Sequence, residues 1–82
     1  MTEKLEASFS VLIMSVASSA VMAMGLAPNP ANGEVSKDKN MARFNIDLLL
    51  VLQEKTKGNL TADESKFLEH LISDLQLKYV SI

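Results

Sequence analysis

The sequence predicts an all-α fold: a long N-terminal helix plus an antiparallel helical hairpin, a three-helix subunit packed into a homo-oligomeric bundle. Three observations predict it. Phe9 to Ala27 is an uncharged, largely apolar run that reads as one helix and meets its stop at Gly25. Two later stretches, about 37–57 and 62–79, repeat apolar residues at helical spacing. Between them, Gly58 to Glu64 ends one helix and starts the next. With 82 residues and 48% apolar composition, the chain reads as one domain, 1–82, whose core is only marginally sufficient.

The first helix is expected over about 3–25. Thr2 is its candidate cap, and Glu3 and Glu6 sit well near the positive end of its dipole. Gly25 supplies a left-handed stop, and Pro28 and Pro30 cannot continue the helix. The apolar run raises two other readings, a signal-peptide core and a membrane span. In MTEKLE one lysine is outweighed by two glutamates, and the run is too long for a signal core. Ser10, Ser15, Ser18 and Ser19 interrupt it, and neither end carries an aromatic belt or basic cluster. A helix buried inside an oligomer is therefore the expectation. The alternative is a small single-span inner-membrane protein with residues 9–27 in the bilayer and the hairpin outside.

Two faces of this helix differ. Ser8, Leu12, Ser15, Ser19 and Met22 recur at alternating steps of four and three, the spacing of a helix–helix seam. Ala23 lies one turn beyond Ser19. Small side chains let backbones approach closely, so this stripe is the candidate oligomer interface. Phe9, Ile13, Val16, Ala17, Ala20 and Met24 form the opposite face and suit packing on the hairpin.

Residues of about 26–36 are turn chemistry: two prolines, then Asn32-Gly33, a pair that tolerates positive φ. The flanks do not alternate, so no β-hairpin is expected. Helix two starts near Ser36 or Asp38, both good caps, and ends at Gly58. Asn40, Arg43, Asp47 and Glu54 share one narrow stripe at 100° per residue, and Met41, Phe44, Leu48, Val51 and Leu52 form the opposite, apolar face. Ile46 and Leu49 widen the apolar arc, and Leu50 falls inside the polar stripe. A helix this apolar exceeds what a third helix covers, so Asp47 and Leu50 join the candidate interface. Asp47, one turn after Arg43, reads either as a surface pair worth about 0.3 kcal/mol or as a pair crossing a subunit boundary.

The turn at 58–61 places Gly58 beyond the end of helix two, and Thr61 and Glu64 have capping-box spacing. Helix three, about 62–79, is conventionally amphipathic. Phe67, Leu68, Leu71, Ile72 and Leu75 make its buried stripe, and Glu69, Ser73, Asp74 and Lys78 face water.

These residues carry a resemblance. Phe9 with the small-residue helix ending at Gly25, Pro28-x-Pro30, Ile46-Asp47-Leu48-Leu49, and Lys55-Thr56-x-Gly58-Asn59-Leu60-Thr61-x-x-Glu64 occur in that order. Leu68-x-x-Leu71-x-x-x-Leu75 with Tyr79 follows. In this the chain resembles a small bacterial family known as domain of unknown function 1844. The Lys-Thr-x-Gly-Asn-Leu-Thr stretch is the specific part; the rest is loose helical pattern. Gln76-Leu77-Lys78 departs from the family, where an arginine is expected. The resemblance implies a stand-alone soluble helical domain and no chemistry to carry over.

The residues themselves point the same way. A net charge of −2 argues against binding nucleic acid through a phosphate-neutralising surface. The chain has no cysteine, which excludes disulfides, thiolate metal sites and a cysteine nucleophile, and fits a reducing, cytoplasmic compartment. His70 is the only histidine, and one imidazole rarely makes a site. Asp63 and Glu64 are explained by the helix terminus, leaving Glu69 without a partner carboxylate. The serines of helix one have no histidine at useful spacing. Lys55-Thr56-Lys57-Gly58 lacks the earlier glycine of a phosphate loop and follows a helix, not a strand. Met14, Met22, Met24 and Met41 suit gap-filling better than a promiscuous groove. The expectation is a non-enzymatic oligomeric scaffold or protein-interaction module with no catalytic residue, cofactor or metal. Its first partner is itself, as a dimer by the general frequency of two-fold symmetry, with an unidentified protein as a further partner.

Overall fold

A computed structural model describes residues 7–82 of the chain. They form three α-helices in sequence: α1 (Phe9–Ala23), α2 (Lys39–Lys55) and α3 (Ala62–Ser81). No strand occurs among the described residues; an isolated antiparallel bridge links Met24 and Lys37.

The first helix starts later than the sequence suggests. Ser8 is its cap: an extended backbone with φ −144° and ψ 162°, and a hydroxyl that accepts from the Val11 N–H at 3.2 Å. The cap expected at Thr2 lies outside the described residues. A serine immediately before Phe9 satisfies an orphan amide and separates the polar lead-in from the apolar run, so the helix begins at that boundary. At its other end α1 stops at Ala23, and Gly25 takes φ +77°. A side chain there would be strained, and its Cβ would also stand 3.4 Å from that of Lys37. With 15 residues α1 is about 22 Å long. No helix among the described residues is long and apolar enough to cross a membrane.

The α1–α2 connection is tied to itself. The Asn29 N–H donates to the Glu34 carbonyl at 2.8 Å, and the Asn29 side chain accepts from the Ala31 N–H at 2.9 Å. The Asn32 side chain accepts from the Glu34 N–H at 2.9 Å, and Gly33 takes φ +69°. These are Asx-type turns, which fold a polar loop without strands. The Asp38 N–H donates to the Ala23 carbonyl at 2.7 Å, which sets the start of α2 beside the end of α1. Asp38 then caps α2, accepting from the Met41 N–H at 3.0 Å.

The core is a single cluster drawn from all three helices. Ile13, Ala17, Ala20 and Met24 come from α1 and its end, Ala42, Ile46 and Leu49 from α2, and Leu68, Ile72 and Leu75 from α3. The α1 contribution is the face expected to meet the hairpin. Contact between α1 and α2 is the most extensive of the three pairs. Ala20 and Ala42 have no accessible surface, so small side chains stand where these two helices pack.

Helix two differs from expectation in its rotation. Its buried side is Ala42, Asn45, Ile46 and Leu49, whereas Met41, Phe44 and Val51 are exposed. Helical spacing separates the polar stripe from the apolar arc, but the arc is wider than one contact. The small residues Ala42 and Asn45 turn inward because they admit α1 closely, and the bulky half of the arc is left outside.

The junction at Gly58 matches the expected chemistry. Gly58 has φ +87°. The Glu64 N–H donates to Thr61 Oγ1 at 3.1 Å, and the Thr61 N–H donates to Glu64 Oε1 at 2.9 Å. This is a complete capping box. Thr61→Ala removes one of its two bonds and should lower stability by about 1 kcal/mol in urea unfolding. Gly58→Val forces a β-branched residue into positive φ and should cost more than Thr61→Ala. An equal or smaller loss for Gly58→Val would contradict the left-handed stop.

Candidate functional site

The described residues hold no group of three or more His, Asp or Glu side chains placed to ligate a metal. His70 is exposed on α3, and so are Asp63 and Glu69. Glu64 is occupied by the capping box. Arg43 and Asp47 meet at 4.0 Å with both side chains more than half exposed, a surface i,i+4 pair of small energetic weight. Thr56, Lys57, Gly58 and Leu60 border a cleft of about 280 Å³ with Glu54, Ser65 and Glu69. Its conspicuous residues are spent on the helix-to-helix turn.

What the molecule offers instead is apolar surface. On α2, Met41, Phe44 and Val51 are 49%, 55% and 52% exposed, with half-buried Leu48 between them. These side chains are three or four residues apart and so lie along one side of the helix. Alongside them runs α1. Ser19, Met22 and Ala23 share a cleft of about 390 Å³ with Met41 and Asn45. Ser15 and Leu12, one and two turns before Ser19 on α1, are exposed. The two stripes form one face on the side of the α1–α2 pair turned away from the core. Its middle carries no charged side chain.

The polar groups on this face are largely satisfied. The Ser15 hydroxyl donates to the Val11 carbonyl at 2.9 Å, so it can be covered without leaving an unmade donor. Asn45 is the one buried polar side chain among the described residues, and its amide donates to the Met41 carbonyl at 2.9 Å.

The sequence-derived interface residues divide. Leu12, Ser15, Ser19, Met22 and Ala23 lie on or beside this face; Ser8 is the α1 cap at its end. Asp47 and Leu50 lie elsewhere, in a groove between α2 and α3 with Arg43, Gln76, Tyr79 and Val80. The residues that sequence reasoning missed are Met41, Phe44 and Val51. They were read only as part of the apolar face opposite the polar stripe, because apolar periodicity marks a face without saying which of two neighbours covers it. The signal available was the pair Ala42 and Asn45, small and polar residues beside the bulky stripe.

A second apolar groove of about 600 Å³ runs between α1 and α3. Met14, Val21, Phe67 and Leu71 line it, and Pro28 and Pro30 border one end. The α1–α2 loop borders both grooves, through Pro28 and Pro30 here and through Asn29, Glu34 and Ser36 beside Met41.

No curated protein and no solved structure matches the chain. A family model described as a domain of unknown function, DUF1844, matches residues 6–81. That span takes in all three helices, both connections and the Lys55–Glu64 junction, and the chain belongs to the DUF1844 family.

Proposed function

We propose that this chain is a small non-enzymatic helical module that assembles with copies of itself, two being the favoured number, through the open face of α1 and α2. The observation that carries the proposal is the exposed row Met41, Phe44 and Val51, with Met22 of α1 beside Met41 and Leu12 exposed further along α1. Scattered exposed apolar residues need no explanation, but a contiguous patch spanning two helices marks an interaction surface. Covering it returns about 25 cal/mol for each Å² of apolar area removed from water. An enzyme reading has no support in the arrangement of His70 and the carboxylates. A further protein partner fits the same kind of surface, and a cytoplasmic setting agrees with the absence of cysteine.

Sedimentation equilibrium at micromolar concentration should give a mass above the 9.0 kDa of one chain. A folded monomer of that mass would overturn the proposal. Phe44→Glu should return the mass to 9.0 kDa with helix content unchanged, since Phe44 stands outside the core. An unchanged mass would move the association to another face.

The α1 stripe has its own test. Ser15→Leu with Ser19→Leu enlarges two small positions on the face, costing the assembly about 1–3 kcal/mol per site. Light scattering should show dissociation or a changed assembly, with helical circular dichroism intact. If these serines only face water, mass and melting temperature stay the same.

A further inference from the structure

The geometry points to one pairing. Two copies stack face to face about a two-fold axis that lies between them, crosses the helices at right angles and passes the level of Ser15 and Leu48. This inference rests on the self-association reading and names the partner surface: the same face on a second copy, run antiparallel.

The charges at the two ends of α2 are self-complementary only in that direction. At its N-terminal end the cleft beside Met41 is lined by Glu34 and Asp38 and by no basic residue. Lys37 lies against Gly25, and Lys39 sits over the Tyr79 ring, 5.7 Å from its centroid, on the side toward α3. At the C-terminal end, Lys55 extends the exposed stripe, one turn beyond Val51. A parallel partner would set acid against acid and lysine against lysine. An antiparallel one sets Lys55 of each copy over Glu34 and Asp38 of the other.

The midpoints of the helices agree with this axis. Leu48 lies midway between Met41 and Lys55. Ser19 and Met22 lie level with Asn45 and Met41, so antiparallel α1 brings Ser15 level with Leu48. The axis therefore sets α2 on α2 and α1 on α1. Where α1 meets its copy, the side chain at the centre is small and its hydroxyl is already bonded to Val11. Both features suit close approach in a dry contact.

The area is adequate. A helix pair as long as α2 is about 25 Å by 20 Å, or roughly 500 Å² in projection for each copy. Two copies together reach the roughly 1,000 Å² that a specific interface must clear, the size class of a reversible pair. The result is a four-helix layer pair with α3 of each subunit on the outside, a common bundle arrangement.

The natural chain has no cysteine, so an introduced one reports alone. Oxidised Leu48→Cys and Ser15→Cys variants should each form a disulfide-linked pair, and Leu50→Cys should not. Lys55→Glu should weaken the pair by about tenfold, two symmetry-related contacts being lost together. Adding Glu34→Lys to that variant should restore it. Suppose instead that the wild type is a dimer, neither single variant links, and only Ser15→Cys with Leu48→Cys combined does. Then α1 stacks on α2 of the other copy: this pairing fails and self-association survives. Lys55→Glu without effect would overturn the charge pairing, and a monomeric wild type removes both proposals.

Discussion

The contact on which the structure depends is the close packing of α1 against α2. Small side chains stand in it: Ala20 on one helix and Ala42 on the other, both fully buried. Alanine costs no side-chain entropy on burial, and it lets helices approach to the short end of their normal spacing. Because these residues must face each other, the rotation of α2 is set. Ile46 and Leu49 then fall toward α3, where Leu68, Ile72 and Leu75 complete the core. The bulkier stripe from Met41 to Val51 falls outside by the same rotation. The exposed face follows from the best-packed contact in the subunit.

Why a small domain would tolerate this is a matter of geometry. Three helices give each member two neighbours, and a helix with apolar residues around most of its circumference has more face than two neighbours cover. Both α1 and α2 are of that kind; α3 is not. Glu69, Ser73 and Asp74 give α3 an ordinary wet side, and its apolar stripe is narrow enough for one contact layer. The asymmetry leaves the stripe from Met41 to Val51 open on the α1–α2 side, while α3 exposes Leu77 and Val80 near its C-terminal end.

The legible parts of the fold were those governed by local chemistry. Gly58, Thr61 and Glu64 specify a stop and a start through backbone conformation and two hydrogen bonds, which depend on nothing distant. Asp38 as a cap and the α1 face from Ile13 to Met24 were legible for the same reason: one helix end, one clear neighbour. The start of α1 was not, because Thr2 and Ser8 are both capping residues, and the choice turns on where the apolar run begins. The rotation of α2 was not legible either. Met41, Phe44 and Leu48 have the same period as a core stripe, and only the size of Ala42 and Asn45 beside them tells which side closes on α1. The stripe from Leu12 to Ala23 stood out in the sequence because its small residues recur at seam spacing. Asp47 and Leu50 were included through the breadth of the apolar arc, which says nothing about which face they share.

The family-specific stretch and the open face thus play different parts. Lys-Thr-x-Gly-Asn-Leu-Thr turns the chain through a few residues, with Gly58 acting through its backbone conformation and Thr61 through the capping box. The stripe on α2 is the reverse. Phe44 and Val51 stand outside their own subunit's core, and half-exposed as they are, they give up about half of the transfer energy their full burial would return. Residues that do little for their own fold need another reason to be apolar. Asn45 adds to this argument from the other side. A leucine there would serve the core better, since a buried amide gains at most the bond it makes to Met41. It stands at the edge where the core gives way to the open face, and its amide is satisfied within its own helix by the Met41 carbonyl, so that edge can stay polar without leaving a donor unmade.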